Sequence, residues 1–87
     1  MREEVDDQVS VLASFAPGPG RTVRVTPHAM KWKGRRWKLE TMGMYHPEKR
    51  GNKRLHIFSF SSGLTAFRVE LDSETLEWHL KEVYYGT

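Results

Sequence analysis

Eight cations in two short segments give the sequence its clearest chemical signal. They are Lys31, Lys33, Arg36 and Lys38 in the first segment, then Lys49, Arg50, Lys53 and Arg54 in the second. Lysine and arginine neutralise the phosphates of nucleic acids, and an aromatic ring beside them stacks on unpaired bases. Tyr45, close to the second segment, is the predicted stacking residue. Together these nine residues predict a phosphate-backbone interface.

A β-hairpin is predicted to position the first four cations. Residues 30–39 read Met-Lys-Trp-Lys-Gly-Arg-Arg-Trp-Lys-Leu, two alternating runs joined by Gly34-Arg35, which is typical of a two-residue hairpin loop. This loop pairs Lys33 with Arg36, Trp32 with Trp37, Lys31 with Lys38 and Met30 with Leu39. Because side chains alternate across a strand, we expect an apolar face that includes both tryptophans and an opposite face that is wholly cationic.

The second cationic segment is predicted to be a loop, and three strands follow it. Residues 46–54 are polar and basic, with a turn at Gly51-Asn52. Residues 55–60 have apolar side chains on both faces, as a central strand does. The last two strands, residues 64–71 and 76–84, are predicted to pair Leu71 with Leu76, Val69 with Trp78 and Phe67 with Leu80. The apolar phase changes after Leu80, which predicts a bulge there or a strand end that bends away.

The N-terminal segment is ambiguous. Its apolar residues Val5, Val9, Leu12 and Ala16 fall at helical spacing. With acids in the first turn, we expect a short helix that packs on the sheet, or a frayed tail, although residues 9–12 and Phe15 also suit a strand. The Pro-Gly-Pro-Gly run at residues 17–20 is a linker or a tight turn. We therefore divide the chain into an acidic appendage with its linker, residues 1–20, and a β-barrel domain, residues 21–87.

These elements predict an all-β protein. A brief strand at residues 22–25, which Pro27 interrupts, precedes the hairpins. Consecutive hairpins of about five short antiparallel strands form a meander, whose edges stay exposed unless the sheet curls. We expect a small, partly open, SH3-like barrel with the N-terminal helix or tail over one end or one edge.

Charge is segregated along the chain. Residues 1–20 hold one basic and four acidic side chains, a net of −3, and residues 55–87 hold two basic and five acidic ones, also −3. Residues 21–54 hold eleven basic and two acidic side chains, a net of +9, and such a region attracts polyanions. Since the chain has no cysteine, no apolar leader and no apolar run long enough for a bilayer, we expect a cytoplasmic protein without membrane contact.

Metal binding and catalysis are the weaker alternatives. The four histidines, His28, His46, His56 and His79, are nitrogen donors, and two of them flank the cationic loop. Their scattered spacing is more typical of surface residues. The serines show no spacing of nucleophile, base and orienting group, and Glu70 and Asp72 are expected at the surface. We predict neither an enzyme nor a cofactor nor a metal site.

Three strings of the sequence form a further pattern. They are Trp32-Lys-Gly-Arg-Arg-Trp-Lys-Leu39, Phe67-Arg-Val-Glu-Leu-Asp72 and Trp78-His-Leu-Lys-Glu-Val-Tyr84. Together they resemble a family of small bacterial domains of unknown function, over residues 30–84. The resemblance implies a β-rich domain of bacterial origin. It transfers no functional residue, because the family pattern marks no known site.

Two functions stay open at this point. The cationic segments predict a small binding module that acts on nucleic acid through its phosphates. The alternative is an adaptor in a larger complex, whose protein partner extends an exposed sheet edge. In both cases we expect a monomer or a weak homodimer, and the cationic segments make nucleic acid our first choice.

Overall fold

The computed structural model describes residues 1–20 and 23–86, and these form one antiparallel sheet without a helix. The strands are β1 (Arg2–Pro17), β2 (Val23–Trp32), β3 (Arg35–Lys38), β4 (Thr41–Arg50), β5 (Lys53–Ser62), β6 (Thr65–Asp72) and β7 (Trp78–Tyr85). Their order across the sheet is β3-β2-β1-β7-β6-β5-β4. The sheet curls into a half-barrel, which confirms the predicted all-β class, with seven strands in place of about five. The finer SH3-like assignment stays a prediction.

β1 shows that the prediction of an N-terminal helix was wrong. The segment is a strand of 16 residues in the middle of the sheet, with β2 on one side and β7 on the other. Its side chains that pack on the core are Val5, Val9, Val11 and Ala13. Leu12, part of the supposed helical stripe, is exposed. Main-chain pairing with two neighbours outweighs local helical spacing, so residues 2–17, which were predicted to lie in an appendage, belong to the sheet.

β2 continues through Pro27, which was predicted to interrupt it. The pairing of β1 with β2 shifts between Leu12 and Ala13, and Pro27 lies opposite Ala13 at this bulge. Proline has no amide donor, and a bulge or an unpaired edge accommodates it in a strand. The predicted strand start at Thr22 lies, with Arg21, outside the described residues.

The β2–β3 hairpin turns at Lys33-Gly34, one residue earlier than predicted. Both turn residues have positive φ, 51° and 73°, as a type I′ turn requires. The observed pairs are Ala29–Lys38, Met30–Trp37, Lys31–Arg36 and Trp32–Arg35. The two strands are displaced by two residues relative to each other, compared with the predicted register, and an even displacement keeps every strand side chain on its predicted face. Trp32 and Trp37 therefore still share the inner face.

Residues 46–54, predicted to be a loop, form the distal half of a second hairpin. β4 and β5 pair as far as Arg50–Lys53, and the Gly51-Asn52 turn between them confirms the predicted turn. Gly51 has a φ of 62°, which glycine adopts without steric cost. The hairpin therefore fixes the face on which each basic side chain of the segment lies.

β5 is apolar on both faces, as predicted. Leu55 and Ile57 lie on the outer face and Phe58 and Phe60 on the inner face, and all four are buried. β5 lies between β4 and β6, so neither of its edges is open. Burial on both faces is the environment of a central strand.

The β6–β7 hairpin repeats the two-residue displacement. The pairs Leu71–Trp78 and Val69–Leu80 show this displacement, and beyond the bulge Phe67 pairs with Val83, three residues from its predicted partner Leu80. Leu76, which was predicted to pair with Leu71, lies exposed in the turn with a φ of 62°. The register shifts beside Leu80, which confirms the predicted bulge.

Because the sheet curls, β2 and β3 pack against the inner face of β6. The rings of Trp32 and Trp37 meet Phe67 edge-on, with centroids 6.5 and 5.1 Å apart. The indole N–H of Trp32 donates to Asp7 Oδ2 over 2.9 Å. The apolar core lies between these layers, and beyond it a cleft stays open between β2 and β4.

Candidate functional site

The two cationic segments of the sequence become three separate groups in the structure. Because alternate residues of a strand point to opposite faces, the β4–β5 hairpin sends one pair of its cations outward and the other inward. The cations of the β2–β3 hairpin lie on a third surface, on a different pair of strands. The predicted single interface is therefore not one continuous surface.

The outward pair, Arg50 and Lys53, is held by carboxylates. Arg50 contacts Glu48 and also lies 3.5 Å from Glu70, and Lys53 lies 3.8 Å from Asp72. The hydrogen bond to the Glu48 carboxylate raises the pKa of Arg50. These two cations already have anionic partners, so they have less to gain from a phosphate.

Glu70 and Asp72 are buried, which corrects the expectation that they lie at the surface. Their exposed fractions are 7% and 8%. The backbone N–H of Glu74 donates to Asp72 Oδ1 over 2.9 Å, and it is the main reason that the pKa of Asp72 is lowered. Thr75 N–H and Lys53 act in the same direction. A buried carboxylate needs such partners, so these acids stabilise the hairpin ends.

The β2–β3 group lies on the outer face, away from the core. Lys31, Arg36 and Lys38 are exposed there, and no ion pair of theirs occurs within the part of the chain that the structure describes. Lys33 is instead in the turn, where its Nζ lies 4.8 Å from the centre of the Trp32 ring. Arg35 covers Trp37 at 3.8 Å in the same way. The group offers charge without an accessible aromatic ring.

The inward pair joins the predicted stacking residue. Tyr45 and Lys49 of β4 share the inner face with Arg54 and His56 of β5, and Lys49 pairs directly with Arg54. The rings of Tyr45 and His56 stack with planes 16° apart, and Tyr45 is 45% exposed. We call Tyr45, Lys49, Arg54 and His56 the Tyr45 site. Of the nine predicted residues, it brings together three.

The Tyr45 site adjoins a cleft that sequence reasoning missed. The cleft has a volume of about 380 Å³ and lies between the start of β2 and the inner face of β4 and β5. Its lining includes Arg24, Val25, Met42 and Tyr45. Arg24 and Met42 lie far apart in sequence and line the same cleft only because the sheet curls, so no local spacing could have shown them together.

The histidines do not converge. His46 pairs with Ile57 and lies on the outer face, whereas His56 lies on the inner face, so the two ends of the supposed loop point apart. His28 instead hydrogen-bonds Ser14 over 2.8 Å. Within residues 1–20 and 23–86, no three His, Asp or Glu side chains are grouped in a way that could hold a metal ion.

Comparison with protein-family models, with curated proteins and with solved structures gives no match to this chain. The resemblance to a bacterial domain family over residues 30–84 therefore stays a prediction. No helix long and apolar enough to cross a membrane occurs among the described residues.

Proposed function

We propose that this protein binds single-stranded nucleic acid at the Tyr45 site, without catalysis and in the cytoplasm. The observation that carries the proposal is the exposed Tyr45–His56 stack on the same face as Lys49 and Arg54. Neither cation has a carboxylate partner among the ion pairs of the described residues. An aromatic platform beside free cations is the usual combination in proteins that bind single strands.

The spacing of the site suits a short strand. Tyr45 and Lys49 are four residues apart on β4, a distance of about 13 Å along an extended chain. A base stacked on Tyr45 therefore leaves the neighbouring phosphates within reach of Lys49 and Arg54. The outer face of the β2–β3 hairpin lacks this combination, because Trp32 and Trp37 both lie on the inner face, and Lys33 and Arg35 lie over their rings.

The alternative of a protein adaptor has less support at the open edge of β4. Pro47 lies in this edge strand, and the pairing of β4 with β5 shifts between Met42 and Met44. Proline, bulges and lysine on an edge are features that discourage the addition of another strand. Lys49 is the lysine on this edge. Strand addition at β4 is therefore disfavoured.

Fluorescence anisotropy of a labelled oligonucleotide tests the proposal. We expect the protein to bind a short single strand at about 50 mM salt and to bind it much more weakly at about 200 mM, because each phosphate contact releases counterions. Binding to a duplex of the same length should be weaker, since paired bases cannot stack on Tyr45. No binding to the single strand at low salt would refute the proposal.

A further inference from the structure

The cleft beside Tyr45 has two walls of different chemistry. One wall is the start of β2, residues 23–26. β3 pairs only with Ala29–Trp32, so along residues 23–27 the side of β2 away from β1 has no strand partner among the described residues. Because no described strand pairs with that edge, the backbone N–H and C=O groups that point to it can bond a ligand.

The other wall is apolar and partly planar. Met42 and Tyr45 line it, with Phe58 at its base. The Tyr45 and Phe58 rings lie 5.0 Å apart, so the aromatic surface continues from the site into the cleft. Val23 and Met42, at the rim, are 61% and 50% exposed. An apolar, partly aromatic wall of this kind suits a flat apolar group of a ligand.

We propose that this cleft receives one unstacked base of the bound single strand. The base would stack against the Tyr45 wall while the free edge of β2 bonds its Watson–Crick edge, which is how proteins read splayed bases. The inference rests on the proposed function and adds where a base is held. A volume of about 380 Å³ lies within the range of small-ligand pockets.

The positive charge in and beside the cleft favours a nucleic acid as the ligand over an apolar peptide or a second copy of the chain. Arg24 lines the cleft, and Lys49 and Arg54 continue the cationic surface along the same side of β4 and β5. No carboxylate lines the cleft within the described residues. A ligand with a regular row of negative charges and flat apolar groups matches both features.

An oligothymidine and an abasic strand of the same length test the inference, because they carry the same phosphates and differ only in bases. For the parent protein we expect the oligothymidine to bind about tenfold more tightly than the abasic strand. Val23→Trp places a large ring at the exposed rim of the cleft, and we expect it to bring this ratio close to one while leaving abasic binding unchanged. Leu64→Trp is the matched control, because Leu64 is also largely exposed, at 77% against 61% for Val23, but lies outside the cleft lining. It should keep the parent ratio.

The outcomes separate the two proposals. If neither strand binds, the proposed function fails, and the inference fails with it. If both strands bind the parent equally, the function stands and the inference is wrong. If Val23→Trp keeps the tenfold ratio, the base stacks outside the cleft, which also overturns the inference. Self-association of the parent that Val23→Trp abolishes would assign the cleft to a second copy of the chain instead.

Discussion

The Tyr45 hydroxyl and His56 Nδ1 share a hydrogen bond of 2.8 Å, and their rings are stacked with centroids 5.9 Å apart. One side chain comes from β4 and the other from β5, and Phe58 supports the Tyr45 ring from below at 5.0 Å. The ring is therefore held in place before any ligand arrives. A platform that is already ordered loses little entropy when a base stacks on it.

Removing this ring should weaken binding. We expect Tyr45→Ala to reduce the affinity for a short oligothymidine about tenfold, because stacking on one aromatic ring contributes about 1–3 kcal/mol per base. Tyr45→Phe keeps the ring and should stay within about threefold of the parent. Anisotropy titration gives both values. Tyr85→Ala removes an exposed tyrosine away from the site, and an equal loss there would show that the effect is not local.

The observed hairpin register predicts which engineered cysteines can form a disulfide. In a two-residue hairpin the pair beside the turn exchanges hydrogen bonds and the next pair does not, so the Cα atoms of Lys31 and Arg36 lie about 4.5 Å apart. We expect Lys31→Cys/Arg36→Cys to oxidise readily, since that distance lies within the disulfide range. The native chain has no cysteine, so the product is unambiguous by mass spectrometry.

The control for this register is Lys31→Cys/Lys38→Cys, the pair that the sequence-based register places face to face. In the structure these residues are diagonal neighbours about 7–8 Å apart, too far for an unstrained disulfide. Faster oxidation of this pair would contradict the turn at Lys33-Gly34.

For the β2–β3 and β6–β7 hairpins, the sequence predicted which face each side chain occupies better than it predicted the register of the strands. In β2–β3 and in β6–β7 the strands are displaced by two residues, which leaves Trp32, Trp37 and Phe67 on the inner face. Apolar alternation determines the face, but it repeats every two residues and so cannot distinguish registers that differ by two. Turn geometry makes that choice, here through positive φ at Lys33 and Leu76, residues that rarely signal it.

The candidate site could be predicted only in part. Tyr45, Lys49 and Arg54 were identified from residue type and nearness in sequence. The sequence could not show that Arg50 and Lys53 form ion pairs with carboxylates and so do not belong to the site. Their partners Glu70 and Asp72 come from β6, and only the pairing of β4, β5 and β6 brings them close. The same holds for β1, because its central place depends on β2 and β7 and not on its own residues.

Asp72 should make stability depend on pH in the acid range. Its pKa in the folded chain lies below the ordinary value of 3.8, chiefly through the Glu74 N–H, with help from Lys53. A carboxyl group with a depressed pKa contributes stability above its unfolded pKa and loses it as pH falls through the folded value. We expect the parent to be more stable than Asp72→Asn at pH 7 and this difference to shrink below about pH 4. Urea unfolding at several pH values measures it, and a difference that grows in acid would contradict the assignment.

Leu76 occupies a backbone conformation that disfavours leucine. Its φ is 62° and its side chain is exposed, so little packing offsets the steric cost. Leu76→Asn should raise the free energy of unfolding by about 1 kcal/mol, because asparagine tolerates this region better. For a domain of this size that corresponds to a rise of about 4–8 °C in Tm. Leu76→Ala keeps the Cβ atom and should change Tm little; an equal rise in both variants would point to a cause other than φ.

The salt dependence of binding to a short single strand tests the central claim most directly. Each phosphate contact on a single strand contributes about 0.7 to the slope of log K against log salt. For Lys49→Ala/Arg54→Ala we predict a slope smaller than that of the parent by about 1.4, with weaker binding at low salt. Lys31→Ala/Arg36→Ala removes the same charge from the outer face and should leave the slope unchanged. A slope that falls in the second variant and not in the first would contradict the account, since the phosphates would then lie on the β2–β3 hairpin.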